Sequence, residues 1–230
     1  MISAQYLKDF VELFYPKSCA SCNAGLNSSE QAICLACKVN FDRLDICDKP
    51  GNEVEKRFWG KVRIEGATSY ARYVKNGLLQ KAIYDLKYQG NRKAGIELGM
   101  DLGYLLKKSN RFNNFDLIIP VPLHSRKKKK RGFNQCDFLA EGLSNVLRTE
   151  WSDQHLFRIK YNMSQTGKST FLRNRNTDGI FQANNARDLQ KKKVLVIDDV
   201  ITTGATLEAC VKAFEMIKGI RIFVATIASA

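Results

Sequence analysis

Val194-Leu-Val-Ile-Asp198-Asp199-Val200-Ile201-Thr202-Thr203-Gly204-Ala205-Thr206 is a continuous apolar run, then two adjacent carboxylates, then a small hydroxyl-rich turn. A run apolar at every position reads as a strand buried on both faces, as in a parallel sheet. In an open α/β sheet ligands collect at the carboxyl ends of the strands, and the N–H groups that open a helix attract phosphate. Thr202, Thr203 and Thr206 add hydroxyls, Ala205 keeps the turn small, and Gly204 lets backbone approach a ligand closely. Asp198 and Asp199 would repel a phosphate if they faced it. They are therefore expected to address the hydroxyls of an attached sugar, directly or through Mg²⁺ and its waters. The expected ligand is a sugar phosphate, with residues 202–206 on the phosphate.

Elements on either side carry the same period. Toward the N-terminus, Thr68 to Val74 has strand composition, and Leu78, Leu79, Ala82, Ile83 and Leu86 recur with helical spacing until Gly90. Leu98, Leu102, Leu105 and Leu106 predict a second helix, Asp116 to Val121 a buried strand, and Cys136, Leu139, Ala140, Leu143 and Val146 a third helix. Leu156 to Lys160 reads as a weaker strand. Beyond the central stretch, Leu207, Cys210, Val211, Phe214 and Ile217 predict a helix stopped by Gly219, and Ile222 to Ile227 a last strand. Alternating strands and helices predict an α/β domain with a mostly parallel sheet flanked by helices.

The chain has 230 residues, 44% of them apolar and 26% charged, which suits a folded globular protein and excludes a disordered or collagen-like one. No apolar stretch reaches the roughly 18 residues a membrane span needs, and the first fifteen residues, with Lys8, Asp9 and Glu12 among them, do not read as a secretory signal. The cytoplasm is the expected compartment. Net charge is +14, and it is unevenly placed. Residues 1–50 hold five basic and six acidic residues, leaving 32 basic and 17 acidic residues in 51–230. The larger segment suits anionic partners, either phosphate-rich small molecules or nucleic acid.

Cys19-x-x-Cys22 and Cys34-x-x-Cys37 are separated by eleven residues. Each pair is a short chelating turn able to place two thiolates on one ion at about 2.3 Å, which suits tetrahedral Zn²⁺. Four cysteines leave no position for a substrate water, so the expected Zn²⁺ is structural and helps to fold a segment poor in core residues. Cys47 is expected to be a buried thiol outside the site, and Cys136 and Cys210 to lie on apolar helix faces. Lys49-Pro50-Gly51-Asn52 is turn-rich. It predicts a boundary between a four-cysteine zinc module at 1–50 and the α/β domain at 51–230.

The strand, the two acids and the Thr-Gly turn resemble the signature for phosphoribosyl pyrophosphate (PRPP) in the phosphoribosyltransferases. With Cys19 to Cys37, Tyr84-Asp-Leu-Lys-Tyr-Gln-Gly90, Pro120-Val-Pro-Leu-His124, Arg131-Gly-Phe-Asn-Gln135, Ser164-Gln165 and Arg173 to Asn176, nearly the whole chain resembles the ComF family, which joins a four-cysteine zinc module to such a domain. The resemblance implies a type I phosphoribosyltransferase fold and a role in natural transformation, with single-stranded DNA handled in the cytoplasm. PRPP, single-stranded DNA and other competence or DNA-processing proteins are the implied partners. An active phosphoribosyltransferase of nucleotide salvage, with an unknown acceptor, is the alternative.

In this fold pyrophosphate binds at the segment here occupied by His124-Ser-Arg126-Lys-Lys-Lys-Lys130-Arg131-Gly132, expected as a loop. Arg126 and Arg131 are the candidates to neutralise departing pyrophosphate, since a guanidinium fork clamps phosphate at two points. Lys168, in a polar segment expected to act as a lid, is the third catalytic candidate. The acid that serves the base in hypoxanthine–guanine transferases is replaced by Thr202, which disfavours that substrate class. Lys127 to Lys130 are expected to point partly outward, toward single-stranded DNA. Tyr88 and Phe133 are expected mainly in the core, with base stacking the other role open to them.

Overall fold

The structure, a computed structural model, describes residues 17–159 and 179–230. Strands β1 (Gly66–Arg72), β2 (Leu117–Pro120), β5 (Lys193–Ile201) and β6 (Arg221–Ser229) form one sheet in the order β1-β6-β5-β2, and every neighbouring pair is parallel. Helices α1 (Leu35–Val39), α2 (Leu78–Tyr88), α3 (Arg92–Lys107), α4 (Ser125–Arg131), α5 (Gln135–Leu147) and α6 (Ala205–Lys212) are the other main elements. The central strand runs four residues past the expected Ile197, so both acids lie within β5 rather than beyond it.

Side chains alternate across a strand, and here both sides are buried. Leu195, Ile197, Phe223 and Ala225 pack with α2, α3 and α5, while Val194, Val196, Ile222 and Val224 pack with α6 and Phe58. That is why the strands read as unbroken apolar runs. α3 and α5 approach unusually closely, because a Cβ on Gly99 would stand 2.2 Å from the Leu139 carbonyl oxygen and one on Gly142 only 2.1 Å from that of Ile96.

Three elements differ from expectation. Of the segment Leu156 to Lys160, the described residues give only β3 (Leu156–Arg158), which pairs antiparallel with β4 (Phe181–Ala183) outside the main sheet, and Lys160 lies outside the described residues. Helix α6 ends at Lys212, and turns carry Phe214 and Ile217 into the core instead. The basic run 126–131 is helical rather than a loop. Lys and Arg are good helix formers, the imidazole Nδ1 of His124 accepts from the Arg126 N–H at 3.2 Å, and Gly132 closes the last turn with φ 85°.

Candidate functional site

At the carboxyl end of β5 the chain turns through Thr202 and Thr203 to Gly204, whose φ of 85° is left-handed and costs a residue without Cβ nothing. Gly204 is the N-cap of α6, and Thr202, Thr203, Ala205 and Thr206 are all exposed around it. Asp198 and residues 200–207 line a small polar recess. The turn is braced from behind by Arg57, on the 3-10 turn Glu55–Phe58. Its guanidinium donates to the carbonyls of Ile201 (3.1 Å) and Thr202, and to Ser229 Oγ (2.9 Å) and Ala230 O (2.6 Å). With the Ile201 and Thr202 carbonyls taken by Arg57, exposed threonines stand at a helix N-terminus, the polarity an anion needs. Arg57→Ala is expected to cost about 1–3 kcal/mol of stability from several lost bonds to a charged donor, and to weaken any phosphate held by 202–206. A melting curve and a phosphate-ligand titration that both match wild type would discard the brace.

Strand alternation sends the two acids to different partners. Asp199 is 5% exposed and accepts from Lys87 Nζ of α2 at 2.7 Å and from Gln135 Nε2 of α5 at 2.6 Å. Burial alone would depress Lys87, but the carboxylates of Asp199 and Asp198 raise it on balance, so it stands as a full charge against Asp199. Asp198 accepts from the Cys136 thiol at 3.3 Å and from the Asp199 N–H at 2.8 Å. Burial, then the charge of Asp199, pushes its carboxyl up to about 7. Cys136, expected only as part of an apolar stripe, is pushed well above the usual thiol range by burial and so faces Asp198 as a donor. Carboxylate oxygens of Asp198 and Asp199 lie within 4.8 Å of one another, close enough to share a divalent cation.

Two of the three cationic candidates are described. Arg126 is exposed on α4. Arg131 is half-buried, donates to Gln135 Oε1 and lies 5.4 Å over the Tyr88 ring, so it is joined to the Asp199 network through Gln135. Lys168, with Ser164-Gln165 and Arg173 to Asn176, lies outside the described residues. Tyr88 departs from its expected core role: it is 63% exposed, and the core face of α2 is made by Leu79, Ala82, Ile83 and Leu86. Phe133 is half-buried and stacks on Phe138.

Sγ atoms of Cys19, Cys22, Cys34 and Cys37 all lie within 4.8 Å of one another. The pairs Cys19–Cys37 and Cys22–Cys34 are each 3.8 Å apart. Bonds of about 2.3 Å in a tetrahedron give S···S edges of about 3.8 Å, so the donor set and its spacing fit Zn²⁺. The N–H groups of Ser21 (3.4 Å) and Cys34 (3.3 Å) point at Cys19 Sγ, as they do to a thiolate. Cys47 lies apart, with Sγ 3.2 Å from Thr68 Oγ1. The cysteine segment is seated firmly on α3: Glu97 accepts from the N–H groups of Ala32 (2.9 Å) and Ile33 (3.0 Å), and Lys38 pairs with Glu97 (2.6 Å) and Asp101 (3.2 Å).

Residues 134–230 match the phosphoribosyl transferase domain family, which spans α5, β5, the threonine turn and β6. Competence protein F of Haemophilus influenzae is 27% identical over 210 residues, covering 84% of this chain and 89% of its own. Competence protein ComFC of Bacillus subtilis is 24% identical over 195 residues, covering 83% and 75%. The chain is similar to the ComF proteins and carries a phosphoribosyl transferase domain. Its fold is the type I phosphoribosyltransferase-like sheet with flanking helices, preceded by the cysteine cluster. The DNA utilization protein YhgH of Escherichia coli O157:H7 is 37% identical over 92 residues, 40% of each chain. Among solved structures, glutamine PRPP amidotransferase from B. subtilis aligns with this chain at a TM-score of 0.43 and 16% identity, over 62% of this chain and 30% of that one.

The structure also brings into the site three residues that the sequence pattern left without a role. Lys87 and Gln135 stand in the Tyr84–Gly90 and Arg131–Gln135 segments, whose resemblance to the family was their only signal. Arg57 had none, since nothing local marks an arginine that reaches a turn 145 residues away. No described helix is long and apolar enough to cross a membrane.

Proposed function

We propose that this ComF-like protein binds PRPP with Mg²⁺ at the carboxyl end of β5, and handles single-stranded DNA in the cytoplasm in support of natural transformation. The observation that carries the first half is the outward-facing turn: exposed Thr202, Thr203 and Thr206 around a left-handed Gly204, with the carbonyls behind taken by Arg57. Residues 202–206 take the 5′-phosphate. Asp198 and Asp199 would address the ribose hydroxyls and hold Mg²⁺, which would supply positive charge against pyrophosphate. Arg126 sits on an exposed cationic helix beside this end of the sheet, and Arg131 is its half-buried neighbour. Lys168 is the third cation assigned to pyrophosphate. Support for the DNA half comes from that basic helix and from relatives whose names refer to competence and DNA utilization.

Asp198→Asn with Asp199→Asn is expected to weaken Mg²⁺-dependent PRPP binding at least tenfold by calorimetry, since charge-assisted hydrogen bonds contribute about 1.5–3 kcal/mol each. A double variant that folds and binds as wild type overturns the donor site. Steady pyrophosphate release on adding one acceptor base or amine would make the protein a transferase; binding without release makes it a carrier or sensor.

A further inference from the structure

Helix α2 buries Leu79, Ala82, Ile83 and Leu86, and its opposite stripe, Gln80, Lys81, Tyr84 and Tyr88, follows the same i, i+3, i+4 spacing toward solvent. Tyr84 and Tyr88 are 58% and 63% exposed, although large aromatic rings ordinarily seek the core. Their centroids are 4.5 Å apart, and the Arg131 guanidinium lies 5.4 Å over Tyr88. Beyond Arg131 runs α4, which buries none of its side chains and ends in four consecutive lysines and an arginine. On its other flank the tyrosine pair opens into a cleft of about 470 Å³ between α2 and the first cysteine turn. Ser21, Asn23, Gln80, Lys81, Tyr84 and Gln89 line it. Its volume lies in the ordinary range for small-molecule sites, roughly 300–1,000 Å³.

The lining has the chemistry of a nucleobase site: one ring for stacking, the four side-chain amides of Asn23, Asn76, Gln80 and Gln89, able to donate and accept, and a buried hydroxyl. Ser21 is 3% exposed and its Oγ has no hydrogen-bond partner. Asp85 also borders the cleft, with its carboxylate accepting from Asn91 at 2.7 Å. That negative charge turns phosphate away, toward the cations of α4, while a base is uncharged and is not repelled.

From this juxtaposition we infer that the cleft between the first cysteine turn and α2 takes one base of a single-stranded DNA, stacked on Tyr84, with the next base on Tyr88 and the backbone along α4. The inference rests on the single-strand reading above and adds the site, the base platform and a role for the cysteine turn as its wall. A duplex does not fit, because its bases are already stacked and its edges alone are presented.

Fluorescence anisotropy of a short labelled oligothymidylate, titrated across salt with the full chain, tests it. Stacking on an aromatic ring contributes substantially per base, so Tyr84→Ala and Tyr88→Ala are each expected to weaken binding about tenfold without changing the salt slope. Tyr84→Phe keeps the ring and is expected to bind within about twofold of wild type. Ser21→Ala loses no bond in the free protein, so it leaves the melting temperature unchanged while weakening binding about threefold. Lys128→Ala with Lys129→Ala is expected to flatten the slope of log affinity against log salt by about 1.4, since each single-strand phosphate contributes about 0.7. Wild-type affinity in both tyrosine variants, with the lysine effect intact, overturns the base cleft and leaves the single-strand reading standing. No binding by wild type at low salt overturns both.

Discussion

Lys87→Met is expected to lower stability by about 3 kcal/mol, because it leaves the buried Asp199 carboxylate with a neutral partner only, and breaking one side of a buried pair costs about 3–5 kcal/mol. The low end is appropriate, since the Lys87 side chain keeps 23% of its exposure against 7% for Asp199. For a chain of this size the melting temperature should fall by roughly 6–12 °C. Lys87→Met with Asp199→Asn should recover most of that loss, since an amide of the same shape needs no counter-ion and still reaches Gln135. Thermal melts of the two single variants and the double variant give the coupling directly. Additive effects would mean that the pair is not coupled. Lys87 alone is also expected to reduce PRPP affinity, because it fixes the acid next to the one nearest the threonine turn.

Removal of Zn²⁺ is expected to have a still larger effect, and to reach past the cysteines. Elemental analysis should find one Zn²⁺ per chain, and Cys34→Ala should abolish it. In small zinc modules metal binding is worth about 10–16 kcal/mol and is inseparable from folding. Cys19, Ile33, Cys37 and Phe41 belong to the same buried cluster as Tyr70, Ala71, Leu79 and Leu98. Loss of the module therefore uncovers apolar surface of α2, α3 and β1. The α/β domain is expected to stay folded but to melt at least about 5 °C lower, a few kcal/mol by the same scaling. Hydrogen exchange separates the two levels. Chelation should release the amides of Ala32 and Ile33, which Glu97 holds, while Val194 to Ile197 at the sheet centre stay protected. Unchanged protection at Ala32 and Ile33 in metal-free protein would show that Glu97 and the apolar contacts suffice without the ion.

The sheet was legible in residue pattern alone wherever burial was complete. Val194 to Ile197 and Leu117 to Pro120 have no polar position because helices cover both faces of a parallel sheet, so composition itself reports the topology. The four cysteines were legible for a different reason: short chelating turns are local, and local geometry is set by spacing. The basic run was legible as charge but not as shape. Whether six cations form a loop or a helix depends on the His124 cap and the left-handed Gly132, contributions comparable to the intrinsic helix preference of lysine.

Sequence by itself determined the order of elements, the cysteine donor set, the threonine turn and the acids at one strand end, because each is written in contiguous residues. Only the tertiary structure decided which groups face one another across long chain separations. It gave Asp199 to Lys87 and Gln135, Asp198 to Cys136, and the turn carbonyls to Arg57, partners 62 to 145 residues away. It also turned Tyr84 and Tyr88 outward beside the cysteine turn. Periodicity says that a helix has a polar side; only packing decides whether another part of the chain covers it, and here both rings stay more than half exposed, with Arg131 over Tyr88 and the cysteine turn across the cleft from Tyr84.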